Sequence, residues 1–120
     1  MISGAKWWKF DFHAHTPASS DYREPGISCR EYLLSTMRNK IDCLAVTDHD
    51  SCEWIDSLKR ELAVLNAEKP EGYRDLILFP GVEVEVFSSV HLLAIFDPSK
   101  PTSEISETIS LIRNAGDRKK

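Results

Sequence analysis

The sequence lacks the features that mark several large classes of protein. Its longest strictly apolar runs, such as Leu92 to Phe96, are far shorter than the ~20 residues of a membrane helix. The three cysteines form no CxxC pair, which indicates reduced thiols in a cytosol-like compartment. Fifteen Lys and Arg against nineteen Asp and Glu give a net charge of −4, so no global positive field attracts nucleic acid. Near the start, Lys6 and two tryptophans stand where a secretory signal needs an apolar run. We therefore expect a cytoplasmic domain without a membrane segment.

Five short apolar segments predict β-strands, because they contain β-branched or aromatic residues and are bounded by turn or charged residues. They lie at 7–12, 41–47, 76–79, 82–87 and 90–96. Helical patterns occupy several of the intervals between them. This alternation predicts an α/β fold with a mostly parallel sheet, either open or closed into a barrel. Because a short unclosed parallel sheet leaves edges and a face uncovered, we expect residues 1–120 to form one domain, the N-terminal half of a larger barrel.

Capping patterns mark the predicted helix starts. Ser28 followed by Glu31 is a capping box, in which each side chain bonds the other residue's backbone N–H. Asp50 and Glu53 repeat that pattern before an apolar stripe with spacings of three and four residues. A third helix is predicted from residue 101, with its isoleucines facing inward and Gly116 as its C-cap.

All four histidines fall at or beside the ends of predicted strands. His13 and His15 follow the first strand two residues apart, so an extended backbone directs both imidazoles to one side. His49 follows the second strand, His91 begins the last one, and Glu83 lies at the junction of two strands. In parallel α/β folds, functional groups gather at the carboxyl ends of the strands. The pattern therefore favours a mixed imidazole and carboxylate cage for divalent metal ions.

Each of these residues, taken alone, has a simpler interpretation. A pair such as His13 and His15 is often just two polar residues at a strand end. His49 between two aspartates fits an ion-paired turn. His91 fits a core histidine with satisfied hydrogen bonds, and Glu83 fits the solvent side of an alternating strand. The shared position of all four histidines favours the metal site instead. Two or more ions ~3.5–4 Å apart would clamp a phosphoryl group.

The ordered motifs resemble those of the PHP family, named for polymerase and histidinol phosphatase. Asp11-Phe12-His13-Ala14-His15-Thr16 is similar to the family's first motif, DxHxH[ST]. Thr47-Asp48-His49-Asp50 is similar to the second, Pro80-Gly81-Val82-Glu83 to the third, and Val90-His91-Leu92-Leu93 to the histidine strand that follows. Residues 4–11 and 16–22 further resemble the PHP domain that leads TrlF-type proteins, where it precedes an AAA-like or SMC-like ATPase region.

The resemblance implies a distorted (β/α)7 TIM-like barrel with two or three divalent ions (Zn, Mn or Fe) at its C-terminal face. The implied ligands are His13, His15, Asp21, His49, Glu83 and His91. Glu83 is implied to bridge the first ion to a second that also takes His91, while Asp21 and His49 belong to a third. Asp11 and Asp48 are implied to orient imidazoles by accepting their N–H protons. The family's later ligands, a histidine and an Asp-x-His pair, have no counterpart in these residues.

The resulting prediction is a metal-dependent phosphoesterase in which His13, His15, His49 and Glu83 form the catalytic group. The expected substrate is a phosphomonoester or a nucleic-acid phosphodiester. The expected partners are the C-terminal remainder of the barrel, without which the fragment is expected to be inactive, and an ATPase domain. The alternative is a non-catalytic PHP module with a structural or regulatory role. A nucleic-acid-binding module has only Lys6, Lys9 and the basic tail in its favour.

Overall fold

The structure is a computed structural model that describes residues 7–86 and 90–117, with the backbone alone at 115–117. Seven elements follow one another along the chain: β1 (Phe10–Ala14), α1 (Cys29–Arg38), β2 (Cys43–Val46), α2 (Ile55–Glu68), β3 (Ile77–Val86), β4 (Val90–Ile95) and α3 (Thr102–Asp117). Three features of the sequence, Lys6, Phe87 and the basic tail at 118–120, lie outside the described residues.

The four strands form one curled sheet in the order β1-β2-β3-β4. β1 pairs with β2 and β2 with β3 in parallel, whereas β3 pairs with β4 in antiparallel register. The predicted α/β class and mostly parallel sheet are therefore confirmed, and the sheet has the shape of a half-barrel. A complete TIM-like barrel stays a prediction.

β3 is one strand where the sequence pattern predicted two. Segments 76–79 and 82–87 were expected to be separate, with a break at Pro80 and Gly81, but the strand runs without interruption over Ile77–Val86. Its first half pairs with β2 as far as Pro80, and its second half pairs with β4 from Gly81 onwards. The strand thus changes partners where the break was expected, because β2 ends there.

The same continuity moves Glu83 away from a strand end. It lies inside β3, three residues beyond the last β2–β3 pair, where it forms an isolated parallel bridge with His49. Gly81 permits the close approach of β4 at this point, since a Cβ there would lie 2.6 Å from the carbonyl oxygen of Ala94. Just beyond the point where β3 exchanges β2 for β4 as its partner, β3 therefore also pairs with the loop that follows β2.

The three helices pack on one face of the sheet. Their buried side chains join alternate residues of β2 and β3 in one core cluster: Tyr32, Leu33, Met37, Leu44, Val46, Ile55, Leu58, Leu65, Leu76, Leu78, Val82, Val84, Ile105 and Ile109. The apolar stripe predicted for α2 and the inward isoleucines predicted for α3 are thereby confirmed. This packing fixes the helix side of the sheet and leaves its other face to different residues.

The opposite face of the sheet carries aromatic rings that remain largely in solvent. Phe10 and Phe12 lie on one side of β1 with ring centroids 5.0 Å apart, and Phe12 contacts Phe79 of β3 at 6.0 Å. Phe10 is 53% exposed and Phe12 is 42% exposed. The described part of the chain therefore leaves this face uncovered at β1.

The helix ends agree with the sequence at α1 and differ at α2 and α3. Ser28 caps α1 as predicted, because its hydroxyl accepts the Glu31 N–H at 3.1 Å. The capping box predicted at Asp50 and Glu53 is wrong: α2 begins at Ile55 after Trp54, with no side-chain cap. Helix α3 continues past the predicted C-cap glycine to Asp117.

The cysteines and the helices were also compared with the composition. The three cysteines, Cys29, Cys43 and Cys52, are free thiols. Among the described residues, no helix combines the length and apolar character that crossing a membrane requires.

Candidate metal centre

Backbone pairing brings the histidine that follows β2 to the carboxylate of β3. Glu83 donates its N–H to the carbonyl of Asp48 at 2.9 Å, and the Asp50 N–H donates to the carbonyl of Glu83 at 2.9 Å. These two bonds flank His49 and extend the parallel ladder past the end of β2. Asp50 adopts a left-handed conformation with φ 50° to make its bond, which explains why it does not cap α2.

Four imidazoles surround the Glu83 carboxylate. Oε1 contacts His13 Nε2 and lies 3.6 Å from His15 Nε2. Oε2 lies 2.8 Å from His49 Nδ1 and 3.0 Å from His91 Nδ1. The Glu83 side chain is only 4% exposed, so it sits beneath the rings that converge on it. The predicted convergence of His13, His15 and Glu83 is confirmed.

Asp21 adds a second carboxylate on the outer side of the cluster. Its oxygens lie 4.0 Å from His15 Nδ1 and 3.7 Å from His49 Nε2. The two rings therefore face Glu83 with one nitrogen and Asp21 with the other. Asp21 is 64% exposed and comes from the loop between β1 and α1, so this end of the cluster opens to solvent.

The ligand atoms form three interlocking groups. They are His13, His15 and Glu83; His15, Asp21 and His49; and His49, Glu83 and His91. Within each group the ligand atoms lie within 4.8 Å of one another. Tetrahedral bonds of ~2.0–2.2 Å place ligand atoms about 3.3–3.6 Å apart, and the measured separations bracket that value. The side chains are thus positioned to hold metal ions.

One buried imidazole nitrogen has no hydrogen-bond partner, and a metal ion would bind it. His15 Nε2 is buried and has no hydrogen-bond partner among the described residues. Its separation of 3.6 Å from Glu83 Oε1 is too long for a hydrogen bond. Buried polar atoms are seldom left unpaired. The donor set therefore fits a divalent ion better than it fits a closed hydrogen-bond network.

The electrostatics of the cluster favour an ionised carboxylate. Burial raises the pKa of Glu83, but hydrogen bonds with His91 and His13 and the nearby charge of His49 outweigh it, so the net pKa is below the usual value. The hydrogen bond with Glu83 raises the pKa of His91, against a smaller opposing effect of burial. Glu83 is therefore negatively charged at neutral pH, as a metal ligand must be.

A buried aspartate holds the loop that carries the first two histidines. Asp48 accepts hydrogen bonds from the Thr16 backbone N–H at 2.6 Å, from the Thr16 hydroxyl, and from the Ser19 hydroxyl at 2.8 Å. Asp11 accepts the backbone N–H of His13 at 3.1 Å. In the described part of the chain, Asp48 and Asp11 therefore accept hydrogen bonds from backbone N–H and hydroxyl groups close to the two histidines, and not from imidazole N–H groups as the resemblance implied.

Sequence reasoning missed three residues that support the site. The Ser19 hydroxyl, besides binding Asp48, accepts the His49 N–H at 3.2 Å, and the Tyr32 hydroxyl donates to the carbonyl of His15 at 2.9 Å. Thr16 was part of the first motif, but its bond to Asp48 was not foreseen. Ser19 and Tyr32 carry no sequence signal, since their roles depend on contacts across loops and helices.

No protein-family model and no curated protein matches this chain. The resemblance of the motifs to the PHP family therefore stays a prediction. What the structure contributes is the geometry: six side chains from five separate segments, arranged as three candidate metal-binding groups.

Proposed function

We propose that this chain is the metal-binding part of a PHP-type phosphoesterase that hydrolyses phosphate esters with two or three divalent ions. The observation that carries the proposal is the arrangement of four imidazoles around the buried carboxylate of Glu83. The buried Nε2 of His15 has no hydrogen-bond partner among the described residues, so hydrogen bonds to Glu83 do not account for all four rings.

The chemistry of the donor set supports Zn, Mn or Fe as the bound ions. Imidazole nitrogen suits these metals, whereas Ca and Mg prefer sites made of oxygen ligands alone. Bound ions of this kind polarise phosphoryl oxygens and lower the pKa of water to near neutrality. That chemistry is what phosphate-ester hydrolysis requires.

The residues of this chain would divide the work of binding. Glu83 directs Oε1 towards His13 and His15 and Oε2 towards His49 and His91, so one carboxylate serves two ligand groups. Asp21 completes the third group on the solvent side. This opening leaves room for a phosphate to reach the ligands from the Asp21 end, while Asp48 keeps the His13–His15 loop in place from below.

The proposal extends to the partners of the chain. The uncovered face that carries Phe10 and Phe12 is where the C-terminal remainder of a barrel would pack. That remainder would supply the later ligands of the PHP pattern, and an ATPase region following it would make the chain one module of a larger protein. The expected location is the cytoplasm.

The test is hydrolysis by the full-length protein after metal removal and reconstitution. Phosphate release from 4-nitrophenyl phosphate and from single-stranded DNA is measured in chelator-treated protein, and again after adding Mn²⁺ or Zn²⁺. We expect activity only with added metal, and its loss in Glu83→Gln. The matched control is Glu71→Gln, because Glu71 is exposed and lies outside the three ligand groups.

Two outcomes would contradict the proposal. Full activity in the chelated protein, or in a folded Glu83→Gln variant, would exclude metal-dependent hydrolysis. Metal binding without hydrolysis of any phosphate ester would point instead to a non-catalytic module with a structural or regulatory role.

A further inference from the structure

The loop that joins β2 to α2 carries the candidate ligand His49 and is attached to helix α3. Within this loop, the Cys52 thiol lies 3.2 Å from the Ser106 hydroxyl of α3. Just beyond it, the Thr102 hydroxyl of α3 donates to the Asp56 carboxylate of α2 at 2.8 Å. Helix α3 therefore holds the loop and the start of α2 through side-chain contacts as well as through the shared core.

One charged contact from α3 reaches the residue next to His49. Arg113 Nη2 lies 3.4 Å from Asp50 Oδ1, and no other described side chain binds this carboxylate. Arg113 follows the buried Ile105 and Ile109 at spacings of four residues, so it lies along the edge of the helix face that packs on the core. The core packing of α3 thus sets where the guanidinium meets the loop.

The conformation of Asp50 requires support from its surroundings. Its φ of 50° is left-handed, which costs free energy for a residue with a side chain. Such conformations persist only where the surrounding structure fixes them. The Asp50 N–H bonds the Glu83 carbonyl, and the Asp50 carboxylate pairs with Arg113. Asp50 is therefore held at both its backbone and its side chain.

Asp50 is not itself one of the candidate ligands. The three ligand groups contain His49 twice and do not contain Asp50. His49 Nδ1 lies 2.8 Å from Glu83 Oε2, and its Nε2 lies 3.7 Å from Asp21 Oδ2. A shift of the loop would move the imidazole away from both carboxylates. A contact made at Asp50 can thus change metal binding through the position of His49.

We propose that Arg113 is a positioning residue of the metal centre. Its ion pair with Asp50 fixes the loop after β2 and keeps His49 facing Glu83 and Asp21. The inference rests on the proposed function, because it requires that His49 binds a metal ion. It adds a residue of α3 that lies outside all three ligand groups and outside the motifs that resemble the PHP family.

An ion pair with a merely structural role would behave differently. Arg113 is 56% exposed and Asp50 is 44% exposed, and exposed pairs contribute little to the free energy of unfolding. Loss of such a pair alone would leave metal binding unchanged. Loss of a positioning residue instead changes the affinity and the coordination of the bound ions while the fold stays intact.

The test measures Co²⁺ binding to the chelator-treated full-length protein, by visible absorption and by competition with a metal-indicator dye. The visible spectrum of bound Co²⁺ depends on the number and geometry of its ligands. For Arg113→Gln we expect the spectrum to change and the affinity to fall at least about fivefold, less than the about 10–100-fold typical of a direct contact to a ligand. The far-ultraviolet circular dichroism spectrum should stay unchanged.

Three further variants separate the ion pair from other effects. Arg113→Lys keeps the positive charge and should restore most of the affinity. Asp50→Asn removes the partner, and combining it with Arg113→Gln should cause little further loss, since both changes break the same contact. Arg38→Gln is the matched control, because Arg38 is exposed at the end of α1 and its side chain makes no hydrogen bond or ion pair with the described residues.

Normal Co²⁺ affinity and an unchanged spectrum in Arg113→Gln would overturn the inference, as would fully additive effects of the two substitutions. A raised KM for 4-nitrophenyl phosphate with unchanged Co²⁺ binding would also overturn it, since Arg113 would then bind substrate directly. Failure of the proposed function gives a different result. If Arg113→Gln weakens Co²⁺ binding but the wild-type protein, reconstituted with Mn²⁺ or Zn²⁺, hydrolyses no phosphate ester, the inference stands and the proposed function fails.

Discussion

His49 and Glu83 are joined through both backbone and side chain. They form an isolated parallel β-bridge, and His49 Nδ1 lies 2.8 Å from Glu83 Oε2. The bridge exists because β3 continues past the end of β2 and accepts the N–H of Asp50. His49, which belongs to two of the three candidate metal groups, is therefore flanked by main-chain hydrogen bonds, which limit how far its ring can move from the carboxylate.

Removal of one imidazole should weaken metal binding at every candidate metal group that contains it. His15 belongs to two of the three groups, so we expect His15→Ala to lower the metal content of the full-length protein and nearly abolish phosphate-ester hydrolysis. Metal content is measured by inductively coupled plasma mass spectrometry after dialysis. A folded His15→Ala protein that keeps the wild-type metal content and activity would show that His15 is only structural.

Adding a methyl group at Gly81 should push β3 and β4 apart. A Cβ there would lie 2.6 Å from the carbonyl oxygen of Ala94, so Gly81→Ala should destabilise the fold by about 1–3 kcal/mol. The metal affinity should also fall, because Glu83 and His91 lie on the two displaced strands. Gly26→Ala is the control, since nothing lies within 4 Å of a Cβ at that position. Equal urea-denaturation midpoints for the two variants would contradict the close approach.

The buried Asp48 should matter through the loop that it holds. Thr16→Val removes one hydrogen bond to Asp48, and we expect a loss of about 1–2 kcal/mol in the free energy of unfolding. We also expect metal affinity to fall about 10–100-fold, as is typical when the support of a ligand is removed. Thr16→Ser keeps the hydroxyl and should restore both quantities. If Thr16→Ser is as weak a metal binder as Thr16→Val, the hydroxyl is not the cause.

Two of the cysteines should react slowly with alkylating reagents. Burial raises the pKa of Cys29, with an added contribution from Glu61, and burial together with Asp42 raises the pKa of Cys43. A raised pKa means less thiolate at pH 8, and the thiolate is the reactive form. Iodoacetamide labelling, followed by peptide mass spectrometry, should therefore be slower at both sites than at a cysteine in an unstructured peptide. Labelling at the peptide rate in the folded protein would contradict this.

The uncovered aromatic face should make the isolated 120-residue chain weakly stable or prone to associate. Phe10→Ser should reduce association, measured by analytical ultracentrifugation, because the ring is 53% exposed on that face. Leu111→Ser is the control, since Leu111 is a 63% exposed apolar residue on α3. A dilute wild-type monomer that unfolds cooperatively above about 60 °C would contradict the prediction.

The structural features that were predicted correctly depend on short-range patterns. The Ser28 cap of α1 is a contact over three residues, and the core faces of α2 and α3 follow from helical spacing. The two-residue period of a strand predicted that His13 and His15 share a side, and both rings do lie near Glu83 Oε1, with His13 in β1 and His15 just past its end. The approach of Glu83 to these histidines was predicted from the gathering of strand ends in parallel sheets, but Glu83 reaches them from inside β3, three residues beyond the last β2–β3 pair.

The incorrect predictions concern positions where a distant segment competes with a local pattern. Asp50 has the sequence of a helix cap, but its N–H bonds Glu83, and the bridge holds it in a left-handed conformation. Pro80 and Gly81 look like a strand break, but the change of partner from β2 to β4 keeps the strand intact. In both cases long-range hydrogen bonds outweigh the local preference.

The amino-acid sequence by itself determined the α/β class and the alternation of strands and helices, because these follow from periodicity, and it supplied the candidate ligands through residue chemistry and the resemblance of the motifs to the PHP family. Only the tertiary structure decided how the ligands combine: which oxygen of Glu83 faces which histidine, what Asp48 supports, and that Arg113 meets Asp50. Those features are separations between side chains far apart in sequence. They are set by how strands pair and how the loop between β1 and α1 packs, which local patterns do not encode.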